Sequence, residues 1–227
     1  MKKFALLSLC LLSMTLVFSC KNKVEGEAAV VNEAAEVAQT EGVAYTVDTT
    51  ATQIMWEGVK VTGKHNGTID VADGTIYVND GNVTGGEFTI DMNSIVVLDL
   101  EGEWKDNLEA HLKGTASDKA DDFFNVNQYP TAKFEITKTT ALDNDPEGTH
   151  LVYGNLTMKD QTKEIGFKAS VSNIDGVLTV VTPQFSINRT DWGIKYGSAT
   201  FIENLGDKAI SDEFGVKITL KASAPTM

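Results

Sequence analysis

The histidines and carboxylates of this chain are the side chains from which a catalytic or metal site would most readily be built. The three histidines, His65, His111 and His150, lie far apart in sequence and show none of the spacings typical of zinc ligands. Adjacent carboxylates such as Asp121 and Asp122 would point to opposite faces of a strand. Nucleophile-elbow, phosphate-loop and dinucleotide-binding motifs are absent from the sequence. The sequence therefore predicts no catalytic residues, no metal site and no cofactor.

Arg189 is the only arginine in the sequence, and two interpretations of its role are open. Its guanidinium group could bind the polar headgroup of a ligand, because its planar donors suit anionic groups. Alternatively, it could pair within the protein with a carboxylate such as Asp191 or Asp122. The second interpretation is favoured, since partly buried arginines usually bind structural acceptors. Arg189 is kept as the headgroup candidate.

Cys20 occupies a position that suggests a covalent modification. Two lysines precede an apolar run from Phe4 to Phe18, which has the length of a signal-peptide core rather than of a membrane span. The run ends at Ser19 and Cys20 and resembles a bacterial lipobox, which implies a lipid on the cysteine sulfur and cleavage before Cys20. An ordinary signal peptide with a chance cysteine is the alternative. The only other cysteine, Cys10, would be removed with the signal, which favours lipidation.

The chain divides into four expected segments. Residues 1–19 are predicted to be the signal peptide and residues 20–43 a lipid anchor with an acidic flexible tether, because residues 21–43 contain no aromatic side chain. Residues 44–223 form one domain, and residues 224–227 a short tail. We therefore expect an exported lipoprotein, anchored to a membrane of the bacterial cell envelope on its periplasmic or surface side. The net charge of −13 argues against a nucleic-acid partner.

The sequence of the domain predicts β structure. Apolar and polar residues alternate along 132–137, 164–171 and 216–221, which is typical of strands with one face buried. One helix is predicted over Glu103–Lys113, where Trp104, Leu108 and Leu112 form an apolar stripe that Gly114 ends. We expect an all-β fold, an antiparallel barrel of about eight strands with one short helix in a connection.

Three stretches of the sequence, at 111–134, 153–163 and 185–194, together resemble the YceI-like family. The resemblance extends over residues 44–222. It implies an extended lipocalin-like antiparallel barrel, and the members of the family include proteins that hold polyisoprenoid-type lipids. Two features depart from the family pattern: an insert at Gly114–Lys119, and Asp160 where the family usually has glycine.

Aromatic residues in the predicted strands are the candidates for the wall of a ligand site. From periodicity alone, rings that fill the core are favoured over rings that line a cavity. The resemblance favours the cavity, because a long hydrocarbon chain needs apolar burial rather than directional bonds. The ligand-lining candidates are Trp56, Phe88, Phe134, Phe167, Phe185 and Trp192, and the candidates for the barrel mouth are Phe123, Phe124 and Tyr129.

The sequence and the resemblance together predict non-enzymatic binding of a long apolar lipid, isoprenoid- or quinone-like, inside the barrel. The expected partners are this lipid and the membrane that holds the anchor on Cys20, and a homodimer is possible. Two alternatives stay open: a filled barrel that acts as a tethered interaction module, and an enzyme acting on a small apolar substrate.

Overall fold

The computed structural model describes residues 23–225, and within them the fold is built almost entirely from strands. The predicted signal peptide and Cys20 lie outside the described residues. One helix, α1 (Gly102–Lys113), and two short 3₁₀ turns, Arg189–Trp192 and Gly206–Lys208, interrupt the strands. The strands are β1 (Glu27–Ala28), β2 (Val30–Glu33), β3 (Val43–Val47), β4 (Gln53–Lys60), β5 (Gly63–Asn79), β6 (Asn82–Val97), β7 (Thr131–Ala141), β8 (His150–Met158), β9 (Gln161–Ile174), β10 (Val177–Val181), β11 (Phe185–Asn188) and β12 (Ile210–Ser223).

The sheet closes on itself, which confirms the predicted antiparallel barrel. Each strand from β4 to β10 pairs with the next, and β12 pairs with both β10 and β4, so eight strand positions form a ring. At one end β3 continues the position of β4, since it also pairs with β5 and β12. At the other end β11 continues the position of β10 beside β12. Closure encloses the apolar faces of the strands, and the one place where neighbouring strands separate lies between β9 and β11.

Asp73 and Gly74 have the composition of a turn but do not end a strand. Both lie inside β5, where the pairing with β6 shifts by one residue. Gly74 is needed there because a side chain would meet the ring of Phe88 and the backbone of Glu87. The shift is a bulge, which bends the strand without ending it.

The predicted flexible tether is also wrong for most of its length. Residues 27–33 form β1 and β2 and lie between β9 and β11, where those two strands separate. The segment continues across the outside of the barrel: Asn155 exchanges two hydrogen bonds with the backbone of Ala35, and the Ala38 N–H donates to the Ile136 carbonyl. The strand edges of β9 and β11 offer unpaired backbone groups, and this pairing orders a segment whose own composition favours disorder. We call residues 24–41 the N-terminal belt.

The predicted helix is confirmed, and it ends as expected at Gly114 in the left-handed conformation, with a φ of 73°. Its apolar stripe does not pack uniformly. Leu112 packs against the core, Leu108 is half-buried, and Trp104 is 78% exposed. None of the helices described between residues 23 and 225 has the length and hydropathy needed to cross a membrane. The helix lies at the end of the barrel where β6 ends and β7 begins, which we call the α1 end.

Candidate functional site

The barrel interior contains two apolar cavities rather than a continuous packed core. The larger has a volume of about 190 Å³ and lies toward the α1 end. The smaller, about 90 Å³, lies toward the opposite end, where short hairpins join the strands and which we call the hairpin end. Most of the residues that line the larger cavity are apolar, and the polar ones are Arg189, Ser211 and Glu213. A largely apolar volume of this kind favours a hydrocarbon ligand over water, which needs polar partners.

Phenylalanine rings separate the two cavities. Phe134 and Phe167 line both of them, and their ring centroids are 5.8 Å apart. Phe167 also stacks on Phe185 at 4.5 Å, and Phe88 lies 6.2 Å from Phe134 on the side of the smaller cavity. The Phe134 ring lies against the backbone of Gly154, where any side chain would collide with it. These rings therefore form an aromatic partition across the lumen.

Gly58 supplies open space in the wall of the larger cavity. It pairs with Phe214 across β4 and β12, and Ile54 and Trp56 line the cavity from the same strand at alternating positions. A side chain built at Gly58 would meet nothing within 4 Å, so the residue faces unoccupied volume. Its φ is not in the left-handed region, and a larger residue could adopt the same backbone. Gly58 thus marks the place where a substitution could fill the cavity.

The mouth of the larger cavity is covered by the connection that follows α1. Phe123 and Phe124, the two phenylalanines predicted for the barrel mouth, line the cavity from this connection, and Leu112 lines it from the last turn of α1. Lys159 holds the cover in place, because its Nζ donates to the Phe123 carbonyl at 2.6 Å. Burial lowers the pKa of Lys159, and the nearby carboxylates of Asp121 and Asp122 act in the opposite direction. The cover is thus attached to the β8–β9 turn by one partly buried ammonium group.

Lys159 and Asp160 form the β8–β9 turn, and both have left-handed backbones, with φ values of 47° and 58°. Asp160 is the residue that departs from the family pattern, and aspartate tolerates this conformation better than most residues. Sequence reasoning missed the role of Lys159, although its place in a family-like stretch was visible. Its partner is a backbone carbonyl in a connection that is distant in sequence, and such a contact cannot be predicted from residue types.

Arg189 acts as a structural residue at the edge of the same cavity. Its guanidinium group donates to the carbonyls of Ser211, Ile194 and Ile210 at 2.9, 2.9 and 3.3 Å. A carboxylate oxygen of Asp212 lies 3.5 Å from Nη2. Burial lowers the pKa of Arg189, and the charge of Asp212 opposes the shift. The carbonyls occupy its donors, so the internal role is the one that the structure supports.

The partner that the sequence suggested for Arg189 was wrong. Neither Asp191 nor Asp122 pairs with the guanidinium group, because Asp212 enters from the first residues of β12. Asp122 instead contacts His111, and its Oδ2 atom lies 2.8 Å from the Nε2 atom of the histidine. His65 lies 2.8 Å from Asp99 in the same way. Within residues 23–225 no three histidine, cysteine or acidic side chains are grouped closely enough to hold a metal ion.

The structure brings most of the predicted site residues together, but not all of them. Trp192 is fully buried outside both cavities, and its Nε1 donates to the Leu156 carbonyl. Tyr129 also lies outside both, with its hydroxyl bonded to Gln128. Trp192 belongs to a tight 3₁₀ turn, and its ring packs into the hydrophobic core without lining either cavity. The predicted residues placed on a cavity wall are Trp56, Phe88, Phe134, Phe167, Phe185, Phe123 and Phe124.

A closed antiparallel ring with one helix at its mouth and an apolar internal cavity defines a lipocalin-like barrel. A family model described as the YceI-like domain matches residues 45–222, and the chain belongs to this family. The match confirms the resemblance noted in the sequence. The N-terminal belt lies outside the matched residues, so it is an addition to the family domain in this chain.

Solved structures show the same fold at low sequence identity. A polyisoprenoid-binding domain from Saccharophagus degradans, implicated in plant cell wall breakdown, is 18% identical with a TM-score of 0.59, covering 81% of this chain and 99% of its own. BcnA from Burkholderia cenocepacia is also 18% identical, with a TM-score of 0.58, covering 78% of this chain and 99% of its own. No curated protein matches the chain.

Proposed function

We propose that this chain binds a long apolar lipid, isoprenoid- or quinone-like, in the barrel interior at the cell envelope, without catalysing a reaction on it. The observation that carries the proposal is the cavity of about 190 Å³, whose wall is apolar except at Arg189, Ser211 and Glu213. Engineered apolar cavities of roughly 150 Å³ stay dry and take up benzene-sized molecules. The name of the Saccharophagus relative, which states polyisoprenoid binding, agrees with this ligand class.

A long chain needs more room than the larger cavity alone provides. The aromatic partition lies between the two cavities, and Ile54, Ile90 and Ile218 line both of them as well. Rotation of the Phe134 and Phe167 rings opens a tunnel that extends from the α1 end toward the hairpin end. Binding then exchanges ring–ring contacts for ring–hydrocarbon contacts, which cost little because both are apolar. The unfilled lumen also argues against the alternative of a filled interaction module.

The proposal includes the lipid anchor on Cys20, which would keep the barrel beside the membrane that supplies its ligand. Two acyl chains or more make such attachment stable, since each buried CH₂ contributes about 0.8 kcal/mol. Mature protein from envelope extracts would be purified, its bound lipids extracted, and the lipids identified by mass spectrometry. The proposal expects an isoprenoid-type lipid in near-stoichiometric amount. Protein that carries no lipid and takes up no added isoprenoid alcohol would contradict it.

A further inference from the structure

Exposed aromatic side chains are concentrated at one end of the barrel. Within the described part of the chain, the large aromatic residues that are exposed are Trp104, Tyr196 and Phe201, and all three lie at the α1 end. Three exposed aliphatic residues lie in the connections of the same end: Val61 in the β4–β5 turn, Leu98 after β6, and Ile202 before β12. We call these six residues the apolar rim. Single exposed apolar residues need no explanation, but a group that includes a tryptophan 78% exposed does.

The apolar rim is continuous with the cavity. Leu112, Leu108 and Trp104 follow one another at four-residue spacing, so they lie on the same side of α1. Leu112 lines the larger cavity, while Trp104 reaches solvent at the other end of the stripe. Tyr196 connects to the mouth as well, since its ring packs at 4.9 Å from His111 and 5.5 Å from Phe123. An apolar path therefore leads from the interior to the rim.

The start of the belt limits where the anchor can hold the barrel. Val24 is buried beside Gly215, and Gln184 donates to the Glu25 carbonyl. Whatever its conformation, the chain from Val24 back to Cys20 spans at most about 14 Å at ~3.5 Å per residue. Along β12, Gly215 is about 17 Å from the α1 end and about 26 Å from the hairpin end, and strand tilt shortens these to ~13 and ~20 Å. A fully extended chain from Val24 to Cys20 is just long enough to reach the plane of the α1 end, and it is too short to reach that of the hairpin end.

From these observations we propose that the α1 end is a membrane-docking face, whose apolar rim inserts into the interfacial layer of a zwitterionic bilayer around the cavity mouth. Tryptophan favours this layer, because its ring is apolar and its N–H remains hydrated. Acidic residues such as Glu101 and Glu103 flank Trp104, so attraction to anionic lipid does not drive the contact. The inference takes from the proposed function only the lipid on Cys20, and it does not depend on which ligand the cavity holds.

The test uses Trp104 as its own reporter. Lipidated protein is reconstituted on vesicles of phosphatidylethanolamine and phosphatidylcholine, in which part of the phosphatidylcholine is brominated near the headgroup end of its acyl chains. Trp56 and Trp192 also emit, so the emission of Trp104 is obtained by subtracting a Trp104→Phe variant. The proposal expects bromine to quench most of the Trp104 emission, and expects added salt to leave the quenching unchanged.

Two reporters at other places serve as matched controls in the Trp104→Phe background. Ile174→Trp lies at the hairpin end, where Ile174 is 68% exposed, and Met55→Trp lies on the outer side of β4. Neither is expected to be quenched. Quenching of either reporter in place of Trp104 would overturn the proposal, as would unquenched Trp104 on vesicle-bound protein. A further control measures quenching of Trp104 by aqueous iodide in the absence of vesicles. If quenching decreases as the protein concentration rises, a second copy of the chain covers the rim, and the proposal is overturned.

Failure of the anchor is distinguishable from failure of the docking face. Protein without the lipid on Cys20 would not float with the vesicles at all, whereas anchored protein that docks by another face floats without Trp104 quenching. Replacing Phe201 and Ile202 with serine leaves the anchored protein on the vesicles but is expected to reduce the quenching of Trp104 by the brominated lipid, because two inserted side chains of the rim are lost. Unchanged Trp104 quenching would contradict the assignment of the rim.

Discussion

The two ends of the barrel are built in opposite ways. At the hairpin end, short turns such as Asp80–Gly81 and Asp175–Gly176 join neighbouring strands, and Leu178 and Ala222 pair there with no exposed surface. At the α1 end, long connections carry the helix and two 3₁₀ turns, and the larger cavity and the exposed aromatic rings are found together. The difference indicates that the hairpin end fixes the barrel, while the α1 end provides its opening.

Filling the cavity at the α1 end is expected to have the largest effect on binding. Gly58→Leu adds a side chain that points into the open volume without straining the backbone. Because the ligand would lose the space it occupies, affinity for an isoprenoid alcohol should fall by at least about tenfold, a change of ~1.4 kcal/mol. Gly63→Leu is the control, since Gly63 also has free space around it but lies outside both cavities. Titration with the alcohol measures both, and equal affinities would contradict the assignment of the cavity.

Removing the partition would weaken the distinction between the two ends. Phe134→Ala deletes a ring that contacts Phe88 and Phe167 and lines both cavities. The free energy of unfolding should fall by about 3–5 kcal/mol, as for other large-to-small core substitutions. The exposed Phe201→Ala should change it by less than about 0.5 kcal/mol. Urea unfolding measures both variants, and lipid extraction should show longer tails bound to Phe134→Ala. Unchanged tail lengths would show that the partition does not limit the ligand.

The belt can be loosened without touching either cavity. Asn155→Ala removes both hydrogen bonds to Ala35 and leaves the backbone of that residue unpaired. The expected cost is about 1–3 kcal/mol, and faster hydrogen exchange should appear in β2 rather than in β10. Asn32→Ala, which loses one exposed bond to Glu164, is the control. Equal exchange in the two variants would mean that Asn155 does not hold the belt.

The attachment of the mouth cover should have the smallest effect of the four. Lys159→Met removes the hydrogen bond to the Phe123 carbonyl, at a cost of about 1 kcal/mol, while it relieves the burial of a charge. Stability should change little, but a bound isoprenoid should dissociate faster in a stopped-flow exchange experiment. Lys217→Met, on the exposed outer face of β12, is the control. Identical dissociation rates in the two variants would show that Lys159 does not help to close the mouth of the cavity.

The same contrast explains what the sequence could predict. The turns and strands at the hairpin end could be predicted from local sequence. Asp-Gly pairs favour tight turns, and alternating apolar and polar residues such as those of β9 favour strands. The strand pattern also placed Phe134, Phe167 and Phe185 on inward positions, but only the resemblance to the YceI-like family favoured a cavity over a filled core. The α1 end depends on contacts between distant residues, such as Lys159 with Phe123 and Arg189 with the start of β12.

Two failures show the limits of local patterns in physical terms. The belt was predicted to be a tether because its composition includes no aromatic side chain, and its order comes from the strand edges of β9 and β11 that it pairs with. Trp192 was grouped with the cavity rings because it follows a strand, yet the 3₁₀ turn rotates it into the protein core. Neither the strand edges nor the rotation is encoded within a few residues of the segment concerned.

The central claim is that the larger cavity accepts an apolar chain, and Trp56 on its wall reports this most directly. In a Trp104→Phe background, lipid-free protein would be titrated with a brominated isoprenoid alcohol while the emission of Trp56 is recorded. The account predicts saturable quenching that disappears when Gly58→Leu is added. Emission that stays constant in the parent protein, or that falls equally in the Gly58→Leu variant, would contradict it.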